Sequence, residues 1–241
     1  MRILCIMTIY NEIDFLPYKV EWCRKNGLDL YVIDNYSTDY SYDWLKSHNI
    51  PCHQVDTKGA FDLRILQNEI IETTNEIKPD WVVYNGCDLF IFAKKPISHL
   101  CMDAEEQGVN IIGFPVIDIC NIGEERTGNI LGRYYWYRDS MPMISFVYKW
   151  QPGIKYEADN VIFKGRKYWY PPGVMINYGR TKSPEKRKEL LKRRKLAWKR
   201  GLVYTSGRHY LREEGKEYRW TKDELNDIRT SRYWKYLKDY V

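Results

Sequence analysis

The chain has 241 residues, 44% of them hydrophobic, and a formal net charge of +6. That length predicts one sizeable core in a single elaborated domain. Its six cysteines are scattered without a C-x-x-C pair, and no apolar stretch approaches the length of a membrane span, which argues against a zinc centre, a disulfide framework and an integral membrane protein.

The N-terminus runs straight into a strand instead of a cleavable leader, so a reducing, cytoplasmic setting is expected, with peripheral contact to a membrane surface as its extension. Aromatic residues make up 15% of the chain, including 21 Tyr and 9 Trp, a composition that leans towards a cleft for sugars or bases. The positive charge is local. Between Lys182 and Arg200 there are ten Lys or Arg against Glu185 and Glu189, and the rest of the chain is slightly acidic.

In chain order, residues 2–9 read as a buried strand because apolar and β-branched residues run without alternation. Residues 14–26 follow with helical spacing and a capping Gly27. Residues 30–33 form a second strand that stops at Asp34-Asn35-Tyr36-Ser37-Thr38-Asp39. A short helix over 40–48, a strand over 52–55 and a longer helix over 61–77 come next. The run 81–92, Trp-Val-Val-Tyr-Asn-Gly-Cys-Asp-Leu-Phe-Ile-Phe, then delivers one carboxylate, Asp88, to the end of an apolar strand and continues as strand again. On this segment alone Asp88 reads equally as a site residue at a strand end or as the hydrogen-bonding residue of an Asn85-Gly86 turn. A helix from Pro96 to Gly108 and a strand over 109–117 complete a βαβαβαβαβ pattern, which predicts a mostly parallel sheet flanked by helices.

After residue 120 the pattern becomes antiparallel, with strands predicted over 133–138, 144–150, 161–163 and 174–177. Ser183-Pro184-Glu185 opens a basic helix that Gly201 ends, and Thr221 with Glu224 marks a last helix reaching towards Tyr240. The basic helix is expected to be a solvated surface helix docked through Leu190, Leu191, Leu196 and Trp198. Contact with an anionic acceptor or a membrane surface through 182–200 is the second reading and nucleic acid the third. No G-x-S-x-G, Walker or G-x-G-x-x-G pattern is present, and the four histidines lack metal-ligand spacing.

The series Thr8-Ile9-Tyr10-Asn11-Glu12, then Val32-Ile33-Asp34-Asn35-Tyr36-Ser37-Thr38-Asp39, then the strand ending at Asp88 resembles the family-2 glycosyltransferases of the GT-A fold. The resemblance covers roughly the first half of the chain. It implies a GT-A-type (nucleotide-diphospho-sugar transferase) fold in a single domain over 1–241. A nucleotide-sugar-binding half spans 1–120, and an acceptor half with basic C-terminal helices spans 121–241. It also implies transfer of a sugar from a nucleotide-diphosphate donor to an acceptor hydroxyl, with inversion, on a glycan, lipid-linked or other anionic acceptor. The donor-binding set it implies is Thr8, Tyr10, Asn11, Glu12, Asp34, Asn35, Arg64, Cys87 and Asp88. Within that set Thr8 and Asp34 lie near the base, Arg64 approaches base or phosphate, and Asp88 holds Mn2+ or Mg2+ on the diphosphate.

Two departures bear on the cation. Gly86 stands where the family pattern has its first acid, and Asn177-Tyr178-Gly179 stands where some members carry His-Tyr-Gly. A cation held mainly by Asp88 and the donor, a metal-independent enzyme using Arg and Lys, and a non-catalytic nucleotide-sugar or polyanion-binding module are the readings this leaves, in that order. An inverting transferase also needs a general base. Candidates in the second half are Asp118, Glu124, Glu125, Glu157 and Asp159, with Asp159 favoured, then Glu157.

Overall fold

The structure, a computed structural model, describes residues 1–120, 136–157, 160–201 and 226–237. Strand β1 (Ile3–Ile9) is followed by helix α1 (Leu16–Asn26), β2 (Asp29–Asp34), α2 (Ser41–Ser47), β3 (Cys52–Gln54), α3 (Leu63–Ile77) and β4 (Trp81–Tyr84). Then come β5 (Leu89–Ala93), α4 (Ile97–Glu106), β6 (Ile111–Ile119) and the long β7 (Trp136–Lys149). The remainder comprises β8 (Lys155–Glu157), β9 (Asn160–Ile162), β10 (Tyr168–Trp169), β11 (Gly173–Asn177), α5 (Pro184–Lys199), β12 (Asn226–Asp227) and α6 (Trp234–Leu237).

The main sheet runs β3-β2-β1-β4-β7-β6-β11-β5, with β10 beside β6 and β12 beside β7. Strands β3, β2, β1 and β4 are mutually parallel, as are β6 and β11. Strand β7 is antiparallel to both β4 and β6, and β8 with β9 forms a separate antiparallel pair. This is the architecture that the resemblance implies: a mostly parallel central sheet flanked by helices, with a smaller antiparallel part. Strands β1 and β4 are almost wholly buried because both faces are covered, which is why they read as unbroken apolar runs.

The run 81–92 is strand, acid-bearing turn and strand again, as the sequence predicts. The chain leaves β4 in the sheet centre, turns at Asn85–Asp88, and re-enters as β5 on the far edge, antiparallel to β11. An edge strand exposes carbonyls that must be satisfied. Helix α1 supplies the donors: Lys19 Nζ donates to Leu89 O, and Trp22 Nε1 donates to Ile91 O at 2.9 Å. Lys19 is fully buried, its ammonium 4.4 Å from the centroid of Trp22 and 4.9 Å from that of Phe90.

Other expectations change at the C-terminal side. The two strands predicted over 133–150 are one, β7, which accommodates register shifts against β6 between Ile112 and Ile117. Over residues 226–237 the single last helix is not formed. Its described part is the short β12, a 3-10 turn (Ile228–Thr230) and α6. No helix among the described residues is long and apolar enough to cross a membrane.

Candidate functional site

The loops that leave β1 and β2 are laced together at the carboxyl ends of the parallel strands. Asn11, at φ 56°, donates through its backbone N to Ser37 Oγ at 2.9 Å, and its Oδ1 accepts from Thr38 N at 2.7 Å. Glu12 N donates to Ser41 Oγ at 3.0 Å, and Ile13 N donates to Asp39 Oδ2 at 3.2 Å. Asp34 is buried and accepts from Ser37 N and from Gln54 Nε2 at 2.9 Å. Each sequence motif therefore supplies the other's hydrogen bonds. Short polar side chains that cap turns are what two sharp adjacent loops require.

This lacing aims Glu12 inward, where it meets Asp88 and a residue that the sequence reading did not single out, Lys182. Lys182 Nζ lies 2.8 Å from Asp88 Oδ2 and also pairs with Glu12 Oε1. The Lys182 side chain is 7% exposed, Glu12 10% and Asp88 17%, so the three charges sit largely out of water. Burial pushes the Glu12 carboxyl up to about 7, against the pull of the Lys182 ammonium. For Asp88 the burial cost is outweighed by Lys182, which holds its carboxyl below the ordinary range. Burial would lower the Lys182 ammonium, but Asp88 and Glu12 together raise it above its usual value.

Asp88 is packed into the space that neighbouring side chains would otherwise take. A Cβ on Gly86 would lie 2.9 Å from Asp88 Oδ1, and one on Gly179 would lie 3.0 Å from Asp88 Oδ2. Asn177, at the end of β11, is engaged elsewhere: its Nδ2 donates to Asp118 Oδ1 at 2.8 Å and its Oδ1 accepts from Gly179 N at 2.8 Å. A divalent cation asks for several free oxygen ligands. Here both carboxylates of the cluster already hold Lys182, and no group of three His, Cys, Asp or Glu among the described residues is placed to hold a metal. As they stand, these residues do not fit a divalent cation.

Beside this cluster a cavity of about 620 Å3 lies between the strand-end loops and α5, lined in part by Tyr10, Asn35, Asp56, Lys188, Lys192 and Arg193. A depression of only about 10 Å3, lined by Tyr10, Asn11, Lys182, Lys186, Glu189 and Leu190, adjoins it through the shared Tyr10 and Glu189. Arg193 is buried and stacks its guanidinium 3.5 Å from the Tyr10 ring centroid. It donates to Gly59 O at 3.3 Å and Ala60 O at 3.2 Å, while its Nη1 is buried without a partner. Asn35 is also buried. One end of its amide bonds to Thr57 Oγ1 at 2.8 Å and the other end is unpartnered. Other atoms of both residues line the cavity, so its wall combines two buried polar side chains with the ammonium groups of Lys188 and Lys192.

The expected site residues thus separate. Tyr10 and Asn35 line the cavity, Asn11 lines the depression, and Glu12 and Asp88 meet at Lys182. Asp34 serves its own turn immediately before Asn35, and Thr8 is half-buried on β1 beside Ile33. Arg64 is exposed in the first turn of α3 and is not among the lining residues, and Cys87 is buried in the core. Asp159, Glu124 and Glu125 lie outside the described residues. Glu157 ends β8, opposite Asn160, and its side chain is outside them too.

The basic helix is also placed differently from expectation. Leu190, Leu191 and Leu196 are half-buried, but Trp198 is 52% exposed, and Arg193 and Ala197 are buried on α5. Its N-terminal half is tied by Lys186 to Asp14 at 2.7 Å and by Glu189 to Tyr10 and Asn11. The signal was in the sequence: Lys186, Glu189 and Arg193 recur at three- and four-residue spacing, a polar stripe on one helical face that the small Ala197 continues.

No family model matches the sequence, and no curated protein matches it. Among solved structures, the chain is similar to TarS of S. aureus, with 14% identity and a TM-score of 0.47 over 87% of this chain and 41% of that one. It is similar to HddC from Yersinia pseudotuberculosis complexed with GMP-PN, with 13% identity and a TM-score of 0.44 over 80% of this chain and 99% of that one. Glucosyl-3-phosphoglycerate synthase from Mycobacterium tuberculosis, solved with Mn2+ and UDP-glucose, gives 15% identity and a TM-score of 0.33 over 48% of this chain and 43% of that one. The chain spans well under half the length of TarS. In architecture it is an α/β protein with a mostly parallel central sheet, flanked by helices and joined by a smaller antiparallel part.

Proposed function

We propose that this protein is a glycosyltransferase that moves a sugar from a nucleotide-diphosphate donor to an acceptor hydroxyl, with inversion. The observation that carries the reading is the cavity of about 620 Å3 between the strand-end loops and α5, lined by Asn35, Lys188, Lys192 and Arg193. Its position at the carboxyl ends of parallel strands is where open α/β sheets take their ligands. In this reading Asn35 and Arg193 bind the nucleoside, and Lys188 and Lys192 add positive potential at the same mouth.

Departure of a nucleoside diphosphate leaves charge on its phosphates, and the adjoining Lys182 cluster supplies a fixed cation there. An acid from the second half, Asp159 or Glu157, takes the proton of the acceptor hydroxyl. The acceptor is a glycan, a lipid-linked molecule or another anionic acceptor.

Calorimetry with uridine, guanosine and adenosine diphosphates, followed by transfer and donor-hydrolysis assays with the matching sugar nucleotides, tests this. Saturable diphosphate binding that Arg193→Ala weakens, together with turnover, is expected. Binding without turnover across a broad donor and acceptor panel would instead support a non-catalytic nucleotide-sugar-binding module, and absence of any nucleotide binding would refute both.

A further inference from the structure

We infer that Lys182, held between Asp88 and Glu12, is the resident cation that receives the donor's diphosphate, in the place a divalent metal would otherwise occupy. The inference rests on the donor-binding reading above and specifies how that site neutralises charge.

Three features of the sequence that look like separate losses form one arrangement around Asp88. Gly86 lacks the acid of the family pattern, and its missing side chain leaves the space that Asp88 Oδ1 fills, 2.9 Å from where a Cβ would be. Gly179 leaves the equivalent space beside Oδ2, at 3.0 Å. Asn177 stands where some members have histidine, and it is committed to Asp118 and to Gly179 N. Into the remaining opening comes the Lys182 ammonium, 2.8 Å from Asp88 Oδ2.

The electrostatics agree. Two carboxylates around a divalent cation sum to zero. Here one acid of the motif is gone and the cation carries one charge, so Asp88 with Lys182 again sums to zero. Glu12, the additional carboxyl, is pushed up to about 7 by burial and takes up a proton readily when further negative charge approaches.

The hydrogen-bonding capacity agrees as well. A lysine ammonium has three N–H donors. Two serve Asp88 and Glu12, which leaves one for a phosphate oxygen, and Lys182 lines the depression that adjoins the main cavity. Its backbone is held between the 3-10 turn Gly179–Thr181 and Ser183, the N-cap of α5, so the ammonium is presented from an anchored position.

The experiment is calorimetric titration of the full chain with nucleoside diphosphate and with the corresponding nucleoside, in EDTA and again with excess Mn2+. Diphosphate affinity is expected to be the same in both buffers. Lys182→Gln is expected to weaken diphosphate binding by roughly tenfold or more while leaving the nucleoside unchanged. Lys182→Arg, which keeps the charge, serves where Lys182→Gln fails to fold, and it is expected to retain diphosphate binding in EDTA. Electron paramagnetic resonance of Mn2+ with the wild-type chain is expected to show no stoichiometric site.

Diphosphate binding that requires Mn2+ and disappears in Asp88→Asn would overturn the inference while leaving the donor reading intact. Failure of the diphosphate and the nucleoside to bind in either buffer would remove the donor reading itself, and this inference with it.

Discussion

Lys182 and Asp88, from opposite halves of the chain, meet at 2.8 Å in a largely buried cluster that Glu12 completes. The contact ties the turn before β5 to the residue that precedes the N-cap of α5, so one ion pair couples the sheet to the helix that walls the cavity.

Removing the ammonium leaves two buried carboxylates facing each other, and an uncompensated buried charge is costly. Lys182→Met is therefore expected to lose about 3–5 kcal/mol of stability at neutral pH. The loss should shrink as pH falls and the carboxylates protonate, and urea unfolding across that range measures both effects.

Glu12 gives a second pH signature. Its carboxyl is raised from the usual 4.5 to about 7 by burial, so the folded chain holds a proton that the unfolded chain releases between those values. Its contribution to stability therefore falls as pH rises through that window and is level above it. Asp88, held low by Lys182, acts in the opposite sense, and its contribution is lost only as acid reaches its own lowered value. Glu12→Gln keeps an acceptor for Lys182 and removes the first slope. Its stability relative to wild type should improve by on the order of 2 kcal/mol between about pH 5 and about pH 7.5, as read by denaturant unfolding at each pH.

Arg193 holds the cavity wall by stacking on Tyr10 and donating to the carbonyls of Gly59 and Ala60. Arg193→Ala is expected to cost about 2–4 kcal/mol and to weaken nucleotide binding. Arg193→Lys should recover little, because an ammonium has neither the planar face nor the fork of donors. Thermal unfolding and calorimetry together distinguish loss of fold from loss of binding.

Gly173 tests the packing of β11. A Cβ there would lie 2.9 Å from the Phe92 carbonyl oxygen and 2.9 Å from Phe114 Cε1, and the backbone atom has nowhere to move within a paired strand. Gly173→Ala is expected to destabilise the protein by about 1–3 kcal/mol, with a lowered urea midpoint and little change in slope.

The parallel core was legible because its strands are buried on both faces and announce themselves as apolar runs. The helices between them are bounded by readable signals such as Gly27, which takes the left-handed conformation at φ 68° after α1. The motifs Tyr10-Asn11-Glu12 and Asp34-Asn35-Tyr36-Ser37-Thr38-Asp39 marked the two loops that lace together at the strand ends. Their side-chain roles were less legible, since much of their polarity is spent on each other.

By itself, then, the sequence determined the order of strands and helices over the first 117 residues, the loops that gather at the strand ends, and Asp88 as the acid delivered there. Those properties follow from periodicity and turn chemistry, which act over a few residues. Only the tertiary structure decided that β5 crosses to the far edge of the sheet, and that α5 turns a polar stripe towards the cavity and leaves Trp198 exposed. It alone placed Lys182 on Asp88 and Glu12. Such pairings join residues distant in the chain, and their selection depends on burial: a lysine in a basic run is one solvated charge among many until the fold removes water from around it.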